Sequence, residues 1–593
     1  MKNEVKLVVV SMPISEEIRP VPFVSCEAVR CALEGIMDEK PDLILFPQYT
    51  VNDNGTAEEA CKIRLLHEFA VKNGCYVVYN VFREKEGQKR CISIIIDRSG
   101  NIEGEYVKTH SVDGLDESLS LGSEMPVFEL DFGKVALLSG TDIYFPELSE
   151  IYSIKGAEIL LCSMGPLMLR DDAEIQKLLK ARAIADYMFI AAATYASDKK
   201  MYMASNFELM NLGSDVVVGN DASEKYFNSD IDNPGINESF NSWGLGRHTG
   251  RAVVYDLRGE MIASTGRESG FVSCRINLQK KRKITDYLFG TGCILFHQNQ
   301  RGVFKELLND ACYCRGDYSV KKPVISMVYV NYLDTIKNFN KNTYDKTLDL
   351  VGKAASKSDL VICAEYSKME EGTPQNPEEI DRFVEKCSSI AKENNCYISI
   401  NDVIDRRNKT VLFGRDGRII VKYQKVNPLT AMYEKKFEAA GNDINVYELD
   451  FGKVGLMICA DSYCQEIPRI LALKGAEMVI LQSQSWGFDA GAINEGISRA
   501  WAIENCIYFL MANFPSSQIV HRSNLIDPTG ETVLASAYDR EGIYGTEVDF
   551  DAVRKKTSFM YRDGKVVKDY SFRARIMKGR RPELYGLLGG KTN

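Results

Sequence analysis

Val127-Phe-Glu-Leu-Asp-Phe-Gly-Lys-Val-Ala-Leu137 is answered 319 residues later by Val446-Tyr-Glu-Leu-Asp-Phe-Gly-Lys-Val-Gly-Leu456. The same offset carries Lys155-Gly-Ala-Glu158 onto Lys474-Gly-Ala-Glu477. Upstream, Tyr106-Val-Lys108 maps onto Tyr423-Gln-Lys425 at an offset of 317, and downstream Asp256-Leu-Arg-Gly-Glu260 maps onto Asp527-Pro-Thr-Gly-Glu531 at 271. The chain is therefore one unit written twice. The falling offset places an insertion in the first copy, spanning roughly 197–247 and rich in Asn, Ser, Asp and Gly, which reads as long loops.

Each copy alternates short apolar runs with helical patterns. Ser358-Asp-Leu-Val-Ile-Cys363 and Val454-Gly-Leu-Met-Ile-Cys459 read as buried strands, Pro377 to Asn394 as a helix, and Cys396-Tyr-Ile-Ser-Ile400 as the next strand. Strands alternating with helices define an α/β class. A chain of 593 residues exceeds one hydrophobic core. The expected organisation is a domain over 1–284, a connector over 285–322 with a helical pattern from Arg301 to Cys312, and a second domain over 323–593.

Composition excludes several classes. Lys and Arg number 73 against 82 Asp and Glu, a net charge of −9, which gives no basic surface for nucleic acid. No run of about 18 apolar residues suggests a membrane span, and the charged start Met1-Lys-Asn-Glu lacks the form of a signal peptide, so a cytoplasmic protein is expected. The 16 cysteines have no metal-ligand spacing, so no metal and no cofactor are expected, and most cysteines read as buried thiols in a reducing compartment.

The two copies differ where chemistry would sit. Gln48 stands opposite Glu365, Gly140 opposite Cys459, and Lys108 opposite an unchanged Lys425. The second copy thus carries a carboxylate, an amine and a thiol, each at or just past a strand end. Hydrolysis of an amide through a thioester needs those groups: a nucleophile, a base that later protonates the leaving amine, and a cation beside the developing oxyanion. Cys459 is the expected nucleophile, Glu365 the proton carrier, and Lys425 with the Ala460 N–H the oxyanion donors. Gln48 cannot take a proton and Gly140 offers no nucleophile, so the first copy is expected to be catalytically degenerate. Only five histidines occur, with His521 alone in the second copy, which argues against a Cys–His or Ser–His–Asp hydrolase.

These motifs resemble the nitrilase superfamily of carbon–nitrogen hydrolases, twice over. The stretches carrying the resemblance are Ala364-Glu365-Tyr366, Tyr423-Gln-Lys425, Gly455-Leu-Met-Ile-Cys459-Ala-Asp461, Arg499-Ala-Trp-Ala-Ile-Glu504-Asn505 and Ile526-Asp-Pro-Thr-Gly530. The resemblance implies a four-layer α-β-β-α sandwich for each copy, packed as an intramolecular pseudo-dimer on which a homo-oligomer could be built. It also implies a second glutamate after the lysine: Glu434, with Glu117 as its first-copy counterpart. Departures are Asn427, where a histidine often sits (His110 in the first copy), and Tyr463-Cys-Gln-Glu466, where Phe-Pro-Glu is common. Cys459-Ala-Asp461 resembles the amidase and carbamoylase branches, implying a small linear carboxamide or N-carbamoyl substrate and release of ammonia, with Tyr366 and Trp486 as pocket-lining candidates. An N-acyltransferase using the same thioester, or a non-catalytic binding scaffold, are the rival readings.

Overall fold

The computed structural model of the chain describes residues 3–13, 24–112, 116, 118–165, 172–196, 251–266, 268–283, 303–309, 318–320, 322–330, 342–365, 377–405, 407–428, 440–484, 496–513, 522–537, 540–554, 557–562 and 565–589. The insert expected over 197–247 and the candidates Glu117, Tyr366, Glu434 and Trp486 lie outside the described residues. The chain forms two compact units, Met1–Asp286 with Thr557–Leu584, and Tyr287–Lys556 with Tyr585–Asn593. The repeat reading counts Thr557–Leu584 with the second copy; it packs with the first unit.

In the second unit one six-stranded sheet runs in the order Ile419–Gln424, Arg407–Phe413, Tyr397–Ile404, Leu360–Cys363, Val324–Tyr329, Gly542–Glu547. Val324–Tyr329, Leu360–Cys363 and Tyr397–Ile404 pair in parallel. A parallel strand is covered on both faces and needs an unbroken apolar run, and Leu-Val-Ile-Cys is buried throughout. Parallel pairing also requires crossovers, supplied by the helices Asn342–Ala355 and Pro377–Asn394. Pro377 starts the second helix where its missing N–H costs nothing, with Glu378 and Glu379 in the first turn and Lys392 in the last. Its buried face, Ile380, Phe383, Cys387 and Ala391, follows helical spacing and packs on Val361, Cys363 and Ile398. The helix thus has the bounds read from the sequence. The pattern from Arg301 to Cys312 yields a 3-10 helix over Val303–Leu308 among the described residues.

The other sheet of this unit runs Val446–Leu449, Gly452–Ile458, Met478–Gln482, Tyr508–Ala512, Asn524–Ile526, Thr532–Ala535. Its three parallel strands are Gly452–Ile458, Met478–Gln482 and Tyr508–Ala512, linked by crossovers containing the helices Glu466–Leu473 and Ser498–Asn505. The sheets face each other: Gln482 Nε2 donates to Cys363 O across the gap at 2.7 Å. The result is the four-layer α-β-β-α sandwich. The first unit repeats it with a seam. Glu4–Met12 pairs with Phe189–Tyr195 only at Ser11↔Thr194 and Met12↔Tyr195. Either side of that join, Leu7, Leu43, Leu45 and Val78 pack against Leu137, Leu161, Ala191 and Ala193.

The repeated motifs have a mechanical explanation. Asp131 and Asp450, inside the two Leu-Asp-Phe-Gly-Lys stretches, hold Arg98 and Arg415, each of which also reaches a second aspartate, Asp42 or Asp359. Glu158 and Glu477, ending the two Lys-Gly-Ala-Glu stretches, hold Arg282 and Arg554. Gly452 is required beside that second pair, since a Cβ there would stand 2.9 Å from both Arg554 Nη2 and Glu477 Oε2. Among the described residues a disulfide, Cys26–Cys61, joins the helices Cys26–Ile36 and Ala57–Asn73, an exception to the expected run of free thiols. Among the described residues no helix is long and apolar enough to cross a membrane.

One carboxyl group interrupts the helix–sheet layer of the second unit. Asp402 is fully buried and accepts from Tyr344 Oη and Val403 N, both at 2.7 Å. Burial pushes its pKa up to about 6 despite those donors. A folded pKa above the unfolded one favours the fold below the unfolded pKa, and this advantage is lost as pH rises through the folded value. Asp402→Asn should therefore raise stability at pH 8 by on the order of 1–3 kcal/mol and give no gain near pH 4. Urea melts at the two pH values check this; an equal effect at both would contradict it.

Candidate active site

Three carboxyl ends of strands converge in the second unit, where α/β folds place their sites. Leu360–Cys363 delivers Glu365, Ile419–Gln424 delivers Lys425, and Gly452–Ile458 runs into the 3-10 turn Cys459–Tyr463. Glu365 and Lys425 are buried, with Lys425 Nζ 3.3 Å from Glu365 Oε1. Oε1 also accepts from Asn408 Nδ2 at 2.8 Å, and Oε2 accepts from Gln484 N at 2.9 Å. The Cys459 thiol completes the cluster, beside Glu365 and the Gln484 N–H. Burial first, then the Glu365 charge, pushes that thiol up to about 12, against the opposing pull of Lys425. The resting sulfur is thus a protonated thiol aimed at a carboxylate.

The turn that presents Cys459 is strained. Its φ is +42°, in the left-handed region that costs a residue with a Cβ about 1–2 kcal/mol. Gly140 holds the same turn at φ +54°, where glycine pays no such penalty. Ala460 is the second residue of the 3-10 turn, where backbone N–H groups lack an intrahelical acceptor, and Asn427 Nδ2 donates to Ala460 O at 2.7 Å, fixing that peptide.

Three residues at this site escaped the sequence reading of roles. Asp461 collects Tyr423 Oη at 2.7 Å, Ile458 N at 2.8 Å, Asn427 N at 2.7 Å and Val426 N at 3.1 Å, tying the cysteine turn to the lysine strand. Burial raises its carboxyl to about 6. Asn408 grips Glu365, and Asn401 grips Asn408 at 2.9 Å. A signal for Asn408 existed: it stands opposite Cys91 at the same offset of 317 that relates Gln48 to Glu365.

The first copy shows what remains when the thiol and carboxylate are gone. Gln48 donates to Cys91 Sγ at 3.2 Å, and Cys91 lies 3.2 Å from Ser139 Oγ and 3.3 Å from Asn80 Oδ1. The Gln48 side chain fills the nucleophile's place, since a Cβ on Gly140 would meet Gln48 Oε1 at 2.5 Å. Lys108 is bonded to Ser139 O at 2.7 Å, with Asp142 at 3.2 Å and Asp116 at 3.3 Å. Burial would lower its pKa; Asp142 and Asp116 outweigh burial and raise it. His110 is buried among Thr109 and Phe145, and burial holds it well below the usual histidine range, hence neutral. Among the described residues no group of three or more His, Cys, Asp or Glu side chains is arranged to hold a metal ion.

The chain belongs to the carbon-nitrogen hydrolase family, the nitrilase superfamily, whose profile matches residues 27–284 and again 336–556. It is 30% identical over 148 residues to a probable nitrilase of Schizosaccharomyces pombe, an alignment covering 24% of this chain and 53% of that protein, so the chain spans about half the length of that relative. It is 24% identical over 237 residues to an omega-amidase of Mus musculus, covering 36% of this chain and 85% of that one. It is 30% identical over 224 residues to a 2-oxoglutaramate amidase of Bacillus subtilis, covering 37% and 69%. Among solved structures, a carbon-nitrogen hydrolase from Helicobacter pylori G27 aligns over 40% of this chain and 91% of its own at 23% identity, with a TM-score of 0.35.

Proposed function

We propose that the second copy is an amidase that cleaves a small linear carboxamide or N-carbamoyl compound through a thioester on Cys459. The observation that carries this is the buried Glu365 carboxylate, which meets Lys425, the Gln484 N–H and the partly exposed Cys459 thiol. The names of the relatives, omega-amidase and 2-oxoglutaramate amidase, favour the terminal carboxamide of a small acid over the N-carbamoyl group.

In this reading sulfur attacks the amide carbon as Glu365 removes its proton. The burial and the Glu365 charge that raise the thiol favour its protonated form, so in this reading the base acts within the attack. The oxyanion forms against Lys425 Nζ and the Ala460 N–H. Glu365 returns the proton to the leaving nitrogen, ammonia departs, and the thioester remains. Water then attacks with Glu365 again as base, releasing the acid and restoring the thiol. Glu434, Tyr366 and Trp486, which the family resemblance and the sequence single out, would complete the substrate pocket. The first copy does none of this: Gln48 and Gly140 supply neither base nor nucleophile.

Ammonia release from a panel of carboxamides, N-carbamoyl amino acids and nitriles tests the reading. Hydrolysis of a carboxamide without an added amine is expected; a product formed only when an amine acceptor is supplied would make the protein an acyltransferase. The first copy has its own test. Lys108→Ala should leave kcat on the best amide unchanged while lowering stability by about 3–5 kcal/mol, the usual effect of breaking a buried ion pair. A loss of turnover matching that of Lys425→Ala would refute its degeneracy.

A further inference from the structure

We infer that Asn408 is a positioning residue of the amide-cleaving site, setting the orientation of the Glu365 carboxylate on which both proton transfers depend. The inference rests on the reading just given for Glu365.

Asn408 touches both members of the buried pair. Its Nδ2 donates to Glu365 Oε1 at 2.8 Å, and its backbone oxygen accepts from Lys425 N at 3.0 Å. Its own amide has no freedom to turn over. Asn401 Nδ2 lies 3.1 Å from Lys409 O, a group that can only accept, so the Asn401 amide nitrogen faces that way. The same nitrogen meets Asn408 Oδ1 at 2.9 Å, which leaves the Asn408 N–H groups for Glu365. The direction of donation is thus anchored at the Lys409 carbonyl, on the strand that carries Asn408, and relayed through Asn401 of the paired strand. Asn401 and Asn408 are both buried, so no water competes along the relay.

The consequence for the carboxylate is geometric. Oε1 is claimed by Lys425 and Asn408, and Oε2 by Gln484 N. Donors on both oxygens fix the carboxylate plane facing the thiol. A lysine on a flexible stem can approach a carboxylate from many directions; a short asparagine on a paired strand cannot, so the amide supplies the direction and the amine the charge. The first copy carries independent support. Where Glu365 is replaced by Gln48, the position facing it changes as well, to Cys91, a weak donor bonded instead to Gln48, Ser139 and Asn80. The copy without the carboxylate is also without the amide that would hold it.

The test measures kcat, KM and the rate of Cys459 alkylation by iodoacetamide in the full chain, with thermal melts alongside. Asn408→Ala and Asn408→Cys should lower kcat on the order of 10- to 100-fold, the usual effect of losing a hydrogen bond to a charged group. KM should stay within about twofold and alkylation should slow in parallel, since the loss falls on the chemical step. Should the alanine variant not fold, Asn408→Asp keeps the shape but places an acceptor where the donor stood, and the same loss in kcat is expected. A folded variant with kcat within about threefold of wild type overturns the inference. Full activity in Cys459→Ala would instead overturn the thioester reading of the site, so the two failures are distinguishable.

Discussion

Cys459→Ala should release ammonia from the best amide at least about 10,000-fold more slowly than the native chain, the scale on which loss of a nucleophile acts in other hydrolases. The reason lies in the first copy as much as in the second. Gly140 keeps the same positive-φ turn without a side chain, and the nearby Cys91 sulfur faces Gln48, Ser139 and Asn80. Glu365→Gln, which writes the first copy's residue into the second, should cost nearly as much, because a carboxamide can hold a thiol but cannot take its proton. The pair Cys459→Ala and Glu365→Gln should then be no worse than either alone, since both disable one step. Steady-state ammonia assays, with mass spectrometry for an acyl adduct at Cys459, measure these effects. A Cys459→Ala protein within tenfold of native activity would remove the thioester from the mechanism.

Much of the fold was legible because it was written twice. The strand ending at Cys363 and the helix Pro377–Asn394 carry their patterns on the surface of the sequence: an unbroken apolar run in one, helical spacing with proline and acidic residues at the start in the other. Glu365, Lys425 and Cys459 could be singled out because the sister copy offers Gln48, Lys108 and Gly140 for contrast. Asn408 was equally available by that comparison, but an asparagine facing a cysteine suggests no chemistry until the carboxylate it holds is seen. Asp461 was hidden differently. Its counterpart Asp142 is unchanged, and three of the four donors to Asp461 come from residues 423–427, more than 30 positions away, which no local pattern joins to it. The path of Thr557–Leu584 was not legible at all, since a repeat assigns residues by resemblance and this segment packs away from the copy it follows.

Arg580→Leu should destabilise the first unit by about 3–5 kcal/mol, although the residue lies 433 positions from its partner. Arg580 Nε donates to Glu147 Oε1 at 3.0 Å, and both side chains are 2% exposed. At that depth water cannot replace the lost cation. The neighbouring Arg581 donates to Thr109 O at 3.0 Å and Gly122 O at 3.3 Å, next to the strand end that carries Lys108. Gly579 lies against Ser111, where a Cβ would stand 2.0 Å from the backbone oxygen. The expected shift in Tm of the first unit is roughly 6–15 °C. Glu147→Leu combined with Arg580→Leu should recover much of it, because removing both charges leaves no buried ion without its counterion. An unchanged Tm in the single variant would show that Arg580 contributes nothing to the unit.

The chain is made from its N-terminus, and domains ordinarily fold as they emerge. Here the first half to leave the ribosome lacks part of itself until residues 557–584 follow. Through the synthesis of the entire second half, Glu147 waits for an arginine not yet translated. The first unit therefore closes only on a chain that already carries residues 287–556 of the second.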